Sequence, residues 1–309
     1  MNTLREALVE YLALRRSLGF KLRDAGKGLL DFVTFMERQQ TAYITHRLAF
    51  AWSQQTGSTE QRARRLCWVR GFAQHRSATD PRTQIPPTSL LPYRPKRAQP
   101  YWYTDAEISA LLQAALQLPP GDGLRPWLYH CLFGLLSVSG LRIGEAYHLK
   151  LPDVDLGNAV LTIQGAKFGK SRLVPLHMST CQVLEDYIAR RERLWQNRSV
   201  SSYLFVSGRG NRLDGGTIHR VFYALSRQVG LRGPHDSHGP RLHDLRHRFA
   251  LKTLLQWYRT GEDIERRLPL LSAYLGHVHF SDTYWYLSAW PELMQEAMSR
   301  LERYWEDRT

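Results

Sequence analysis

The sequence predicts a mainly α-helical chain with one small β-hairpin, split into an all-helical N-terminal domain and a larger α+β domain. Three observations carry this. Apolar residues recur at helical spacing over most of the 309 residues. Two short β-type runs, Val160-Leu161-Thr162-Ile163 and Arg172-Leu173-Val174-Pro175, flank a Gly-containing loop. Six of the fifteen prolines fall between Pro81 and Pro100, in a stretch that cannot be helical. The chain therefore divides into a domain over 1–91, an extended basic linker over 92–103 and a domain over 104–309.

In the N-terminal domain, Leu4, Leu8, Tyr11, Leu12 and Leu18 suit one face of a first helix. Leu29, Phe32, Val33 and Met36 repeat the spacing in a second. Ser58 with Gln61 forms a capping-box signature ahead of a helix through about Gln74. That helix carries Arg62, Arg64, Arg65 and Arg70, and the linker adds Arg94, Lys96 and Arg97. Such a group is a candidate surface for gripping phosphates; the plainer alternative is a solvated helix face. In the second domain, Thr104 and Glu107 open a helix through about Leu116. Another apolar helix runs from near Pro126 to Val138, broken by Ser139-Gly140 just before Arg142. Beyond the hairpin, helices are expected at 179–193, 217–229, 241–256 and 291–305. The last presents Leu293, Met294, Ala297, Met298, Leu301 and Trp305 as an apolar stripe.

Composition narrows the class of partner. Lys and Arg number 42 against 28 acids, for a net charge of +14, so the chain favours a polyanion. A membrane is the rival polyanion, but no run approaches 18 consecutive apolar residues. The start has no signal-peptide apolar core, and Cys67, Cys131 and Cys181 are scattered and odd in number. These features suggest reduced thiols in a cytoplasm.

Four short strings carry the chemistry: Ser-Gly-Leu-Arg142-Ile-Gly-Glu145, Ala-Lys167-Phe-Gly-Lys170-Ser-Arg172, His243-Asp-Leu-Arg246-His247 and Leu-Gly-His277 followed by Tyr284-Trp285-Tyr286. Together they offer Arg142 and Arg246, two lysines, His243 and His277, and a late tyrosine. Cleaving a phosphodiester without a metal needs a nucleophile, charge to stabilise the transition state, an acid for the leaving oxygen and a way to deprotonate the nucleophile. Arginine suits the second task, because its planar fork donates two parallel hydrogen bonds and stays charged. His243 and Arg246 are three apart and share a helix face. Taken singly, Arg142 could merely pair with Glu145, either lysine could be a solvated turn residue, and the aromatic run could be core packing. His235, His238, His243 and His247 also form a dense cluster, but no Cys-x-x-Cys partner accompanies them, so no metal is expected.

In order and local context, the four strings over roughly 104–290 resemble those of the tyrosine recombinases, the integrase family, and most closely transposon- or plasmid-encoded integrases. The resemblance implies a helical, SAM-like core-binding domain before the catalytic domain. It implies that Arg142, His243, Arg246 and His277 contact the scissile phosphate, with Glu145 in support. Lys167, first of the Lys-x-x-Lys pair, protonates the leaving oxygen, and Lys170 and Arg172 lie beside the DNA. Tyr286, nine residues after His277, is the nucleophile rather than Tyr284. It further implies double-stranded DNA with inverted half-sites as partner, a homotetramer in the synapse, room for accessory proteins, no cofactor, and a C-terminal helix exchanged between protomers. A type IB topoisomerase, a catalytically silent DNA-binding regulator and a zinc-binding structural protein are the rival readings.

Overall fold

The computed structural model describes residues 3–91, 99–119, 123–164, 171–196, 198–236, 238–288 and 291–306. The chain forms two compact units, Met1–Ala98 and Gln99–Thr309. No described helix is long and apolar enough to cross a membrane.

Among its described residues the first unit has four α-helices, α1 (Leu4–Ser17), α2 (Arg23–Arg38), α3 (His46–Ser53) and α4 (Thr59–Ser77). Thr3 and Glu6 close a full capping box on α1. Ser58 caps α4 by accepting from the Gln61 amide, while the Gln61 side chain turns to Thr56 instead of completing the box. Leu8, Leu29, Phe32, Val33, Met36, Trp52, Val69 and Phe72 form the core. Burying each such side chain contributes about 1.5–3 kcal/mol. Gly28 lets α2 approach α4, because a Cβ there would lie 2.3 Å from the Trp68 ring. Leu18, expected on the first helix face, caps the end of α1 and is 63% exposed.

The second unit opens with α5 (Asp105–Leu116), capped by the Thr104–Glu107 box, and α6 (Arg125–Ser139). Then come α7 (Ile143–Ala146) and an antiparallel sheet of β1 (Val154–Asp155), β2 (Val160–Ile163) and β3 (Arg172–Pro175), in that order. In the hairpin Val160 pairs with Pro175 and Ile163 with Arg172. Six helices follow: α8 (Met178–Trp195), α9 (Gly215–Gln228), α10 (Leu242–Arg259), α11 (Ile264–Leu275), α12 (Ser281–Ser288) and α13 (Pro291–Glu306). One core surrounds α6; a second joins α10 to α13 through Leu251, Leu254, Leu271, Leu275, Tyr286 and Leu293. Arg248, buried on α10, donates to the Tyr103 carbonyl and pairs with Asp105, tying the start of the unit to α10.

Two glycines end the helices that matter most. Gly140 closes α6 at φ +60° and Gly276 closes α11 at φ +66°, a left-handed conformation that side chains rarely adopt. A Cβ on Gly140 would also lie 2.5 Å from Phe249. The final helix packs against α10 and the turn that follows it. Leu293 is buried, Glu296 pairs with Arg259 at 2.9 Å, and Arg300 donates to the Glu262 carbonyl at 2.8 Å. Met294, Met298 and Trp305 of the stripe remain exposed.

Candidate active site

The site is assembled around the C-terminal end of α11, where backbone carbonyls have lost their helical partners and the helix dipole favours cations. Three successive carbonyls there receive three arginines. Arg172 Nε donates to Tyr274 O at 2.7 Å, Arg246 Nη2 to Leu275 O at 2.7 Å and Arg142 Nη2 to Gly276 O at 2.7 Å. Arg246 also donates through Nη1 to Gly140 O at 2.7 Å, so it joins the ends of α6 and α11. It is 2% exposed. Lost hydration, then the nearby Arg142 charge, lower its pKa to about 10, which leaves it charged at neutral pH. Arg142 keeps 30% of its side chain exposed.

Glu145 holds the other two arginines apart. It accepts Arg142 through N and Nη1, and Arg172 through Nη1 and Nη2, at 2.7–3.0 Å. Burial alone would raise its pKa; the hydrogen bonds and charge of Arg172, with those from Arg142, outweigh it and bring the value down to about 2. Its folded pKa thus lies below the ordinary 4.5, so its stabilisation is full above about pH 4.5 and is lost as pH falls toward 2. That difference is worth about 3 kcal/mol. Glu145→Gln should lose it, and urea titrations across acid pH should show a flatter pH dependence than wild type. Equal slopes in the two proteins would rule this account out.

His243, on the first turn of α10, is exposed at the surface of the site. Its pKa is nonetheless drawn down to about 4, by lost hydration first and the Arg246 charge next, so it is neutral at pH 7. His277 follows Gly276, and its Nδ1 lies 2.7 Å from the hydroxyl of buried Thr283. Its ring lies nearly parallel to that of Tyr286, at 6.3 Å. Tyr286 is 1% exposed and Tyr284 is 56% exposed, so only Tyr286 faces this group. The Tyr286 hydroxyl lies 2.9 Å from Nδ1 of His247.

The structure thus gathers Arg142, Glu145, His243, Arg246, His277 and Tyr286. Lys167 and Lys170 lie outside the described residues, as do Arg94, Lys96 and Arg97. Arg172, expected beside the DNA, has its donors on Glu145 and the Tyr274 carbonyl, and its side chain is 12% exposed. Three of the α4 arginines donate to carbonyls of their own unit. Arg70 fastens the carbonyls of Pro86 and Pro87, Arg62 that of Thr56, and Arg65 that of Trp52 while lying over its ring. Arg64 pairs with Glu60 at the surface and keeps 56% of its side chain exposed. His247 is the functional candidate that the sequence reading passed over except as a metal ligand. Among the described residues, no three His, Cys, Asp or Glu side chains are grouped to hold a metal ion.

Residues 102–292 match the phage integrase family. A Sinorhizobium fredii protein described as an integrase/recombinase is 60% identical, with all of both chains covered. The tyrosine recombinase XerD of Mycobacterium tuberculosis is 29% identical over 72% of this chain and 67% of its own. Among solved structures, the Tn1549 transposon integrase bound to transposon right end DNA shares the fold, with a TM-score of 0.65 at 15% identity. That match covers 98% of this chain and 99% of the other.

Proposed function

The chain belongs to the phage integrase family, and on that premise we propose that Tyr286 is the nucleophile with which it breaks DNA. The protein is a site-specific recombinase of the tyrosine type, an enzyme that cuts and rejoins DNA strands. The observation that supports the residue assignment is the convergence of Arg142 and Arg246 on consecutive carbonyls at the helix end that leads straight into His277 and Tyr286.

In this reading, the two guanidiniums stabilise the charge that builds on the phosphate oxygens as Tyr286 attacks. His277 and His243 line the same phosphate. The Tyr286 oxygen–phosphorus bond forms, the bond to the 5′-oxygen breaks, and that oxygen takes a proton from Lys167. A 3′-phosphotyrosyl link and a free 5′-hydroxyl result. The hydroxyl of a partner strand then attacks that link, so the phosphodiester energy is conserved through a Holliday junction. Two protomers on inverted half-sites of each duplex, and two duplexes in the synapse, make a tetramer. The substrate is the end of a mobile element being integrated, excised or transposed in the bacterial nucleoid. The N-terminal unit, joined by the basic linker, grips the duplex alongside the catalytic unit, and α13 leaves its own chain to couple neighbours.

A trapping experiment tests this. The protein is incubated in EDTA with nicked DNA from the ends of its own element, then run on a denaturing gel. A covalent protein–DNA species mapped to Tyr286 is expected. Tight binding with no adduct, or an adduct at another residue, would overturn the assignment.

A further inference from the structure

The reaction leaves one proton unaccounted for. Tyr286 is 1% exposed and embedded among Leu251, Leu271 and Leu275. A phenol has a pKa near 10, so it is protonated at neutral pH and must lose that proton to attack. Water has little access to this hydroxyl, so the acceptor of its proton must be a protein group within hydrogen-bond reach. His247 is such a group. Its Nδ1 lies 2.9 Å from the Tyr286 hydroxyl.

The ring is held firmly. His247 is 7% exposed and follows Arg246, whose guanidinium is fastened to Gly140 O and Leu275 O. It stands edge-on to Trp285 at 5.5 Å and to His243 at 4.6 Å, with an interplanar angle of 85° to the latter. The two histidines sit one turn apart on α10 and face different groups. His243 lies at the exposed surface, and His247 lies inward against the tyrosine.

We propose that His247 is the base that takes the phenolic proton of Tyr286 during cleavage and returns it during rejoining. This rests on Tyr286 being the nucleophile. The neutral ring accepts at Nδ1 and carries its own hydrogen on Nε2. As the Tyr286 oxygen–phosphorus bond forms, the phenolic proton moves to Nδ1 and leaves an imidazolium. The electron pair of the breaking bond departs with the 5′-oxygen, which is protonated separately. In the reverse step the 5′-hydroxyl attacks, the phosphotyrosyl bond breaks, and the imidazolium protonates the departing phenolate. The phosphate charge brought by the DNA offsets the positive charge added beside Arg246. His243 is thereby left to the phosphate oxygens.

The test compares His247→Ala and His247→Asn in the full chain. Asn keeps a polar atom near the Nδ1 position but cannot take up a proton, so it separates holding the tyrosine from deprotonating it. Both variants should bind nicked DNA like wild type and form the covalent adduct about 10²- to 10³-fold more slowly. Added imidazole should speed His247→Ala and leave wild type unchanged. A substrate with sulfur at the 5′-bridging position has a leaving group that needs no acid, so it should not rescue either variant. Wild-type rates in His247→Asn would mean that the residue only holds the tyrosine, and would overturn the proposal. So would full activity in His247→Ala, or rescue by the sulfur substrate. Tyr286→Phe is run alongside: an adduct in wild type that this variant lacks secures the nucleophile whatever His247 does.

Discussion

Tyr286→Phe binds its DNA within about twofold of wild type and forms no covalent adduct, a loss of at least about 10⁴-fold, because no other group can take the phosphoryl bond. The change removes one oxygen and keeps the ring. Its packing among Leu251, Leu271 and Leu275 and against Trp285 survives. The fold loses about 1 kcal/mol with the His247 hydrogen bond. Tyr284→Phe is the control, since that side chain is 56% exposed and turned away. Its adduct yield stays at the wild-type level and its stability within about 0.5 kcal/mol. Quantifying adducts on one nicked substrate for both variants decides the matter. An adduct from Tyr286→Phe, or its loss in Tyr284→Phe, would move the nucleophile to the other tyrosine.

The second large effect is at Arg246, where catalysis and folding meet. Arg246→Ala withdraws a charge from the phosphate and strips the donors from two buried carbonyls, Gly140 O and Leu275 O. Each orphaned acceptor costs about 1–3 kcal/mol, so urea denaturation should show a loss of about 3–5 kcal/mol. Adduct formation should fall at least about 10³-fold even under conditions where the variant is fully folded. Arg142→Ala provides the contrast. Its side chain is 30% exposed and spans one carbonyl and Glu145, which Arg172 continues to hold. That variant should lose a comparable factor in rate but only about 1 kcal/mol in stability. Equal stability losses in the two would refute the view that Arg246 joins α6 to α11.

What the sequence revealed and what it hid follow one physical line. Local signals were legible. The apolar spacing of Leu29, Phe32, Val33 and Met36 marks α2, the Thr104–Glu107 box marks α5, and the β2 and β3 runs stand at the residues where the strands form. α3 escaped because eight residues hold barely two turns of periodicity. α11 escaped because Pro269 sits inside it, where a proline usually signals an end. At the site, the resemblance of the four strings to the tyrosine recombinases pointed to Arg142, His243, Arg246, His277 and Tyr286. Partners distant in sequence did not show. Arg172 meets Glu145 27 residues away, and His247 meets Tyr286 39 residues away. Arg70 was read as a candidate phosphate contact from its place among four arginines on one helix; that its guanidinium donates to the carbonyls of Pro86 and Pro87 did not show. Every residue owns a carbonyl, so nothing in the letters marks which one an arginine will choose.

The acceptors of the three arginines at the end of α11 belong to the main chain at Tyr274, Leu275 and Gly276. A change of side chain at position 274 leaves the oxygen that holds Arg172 where it was. At 276 the tolerance ends, because φ is +66° and an added Cβ would lie 3.0 Å from the Arg172 guanidinium. The reactive charges are thereby insulated from much of the drift in the residues that hold them, and a lineage can rewrite its α11 surface to suit new partners without retuning its chemistry.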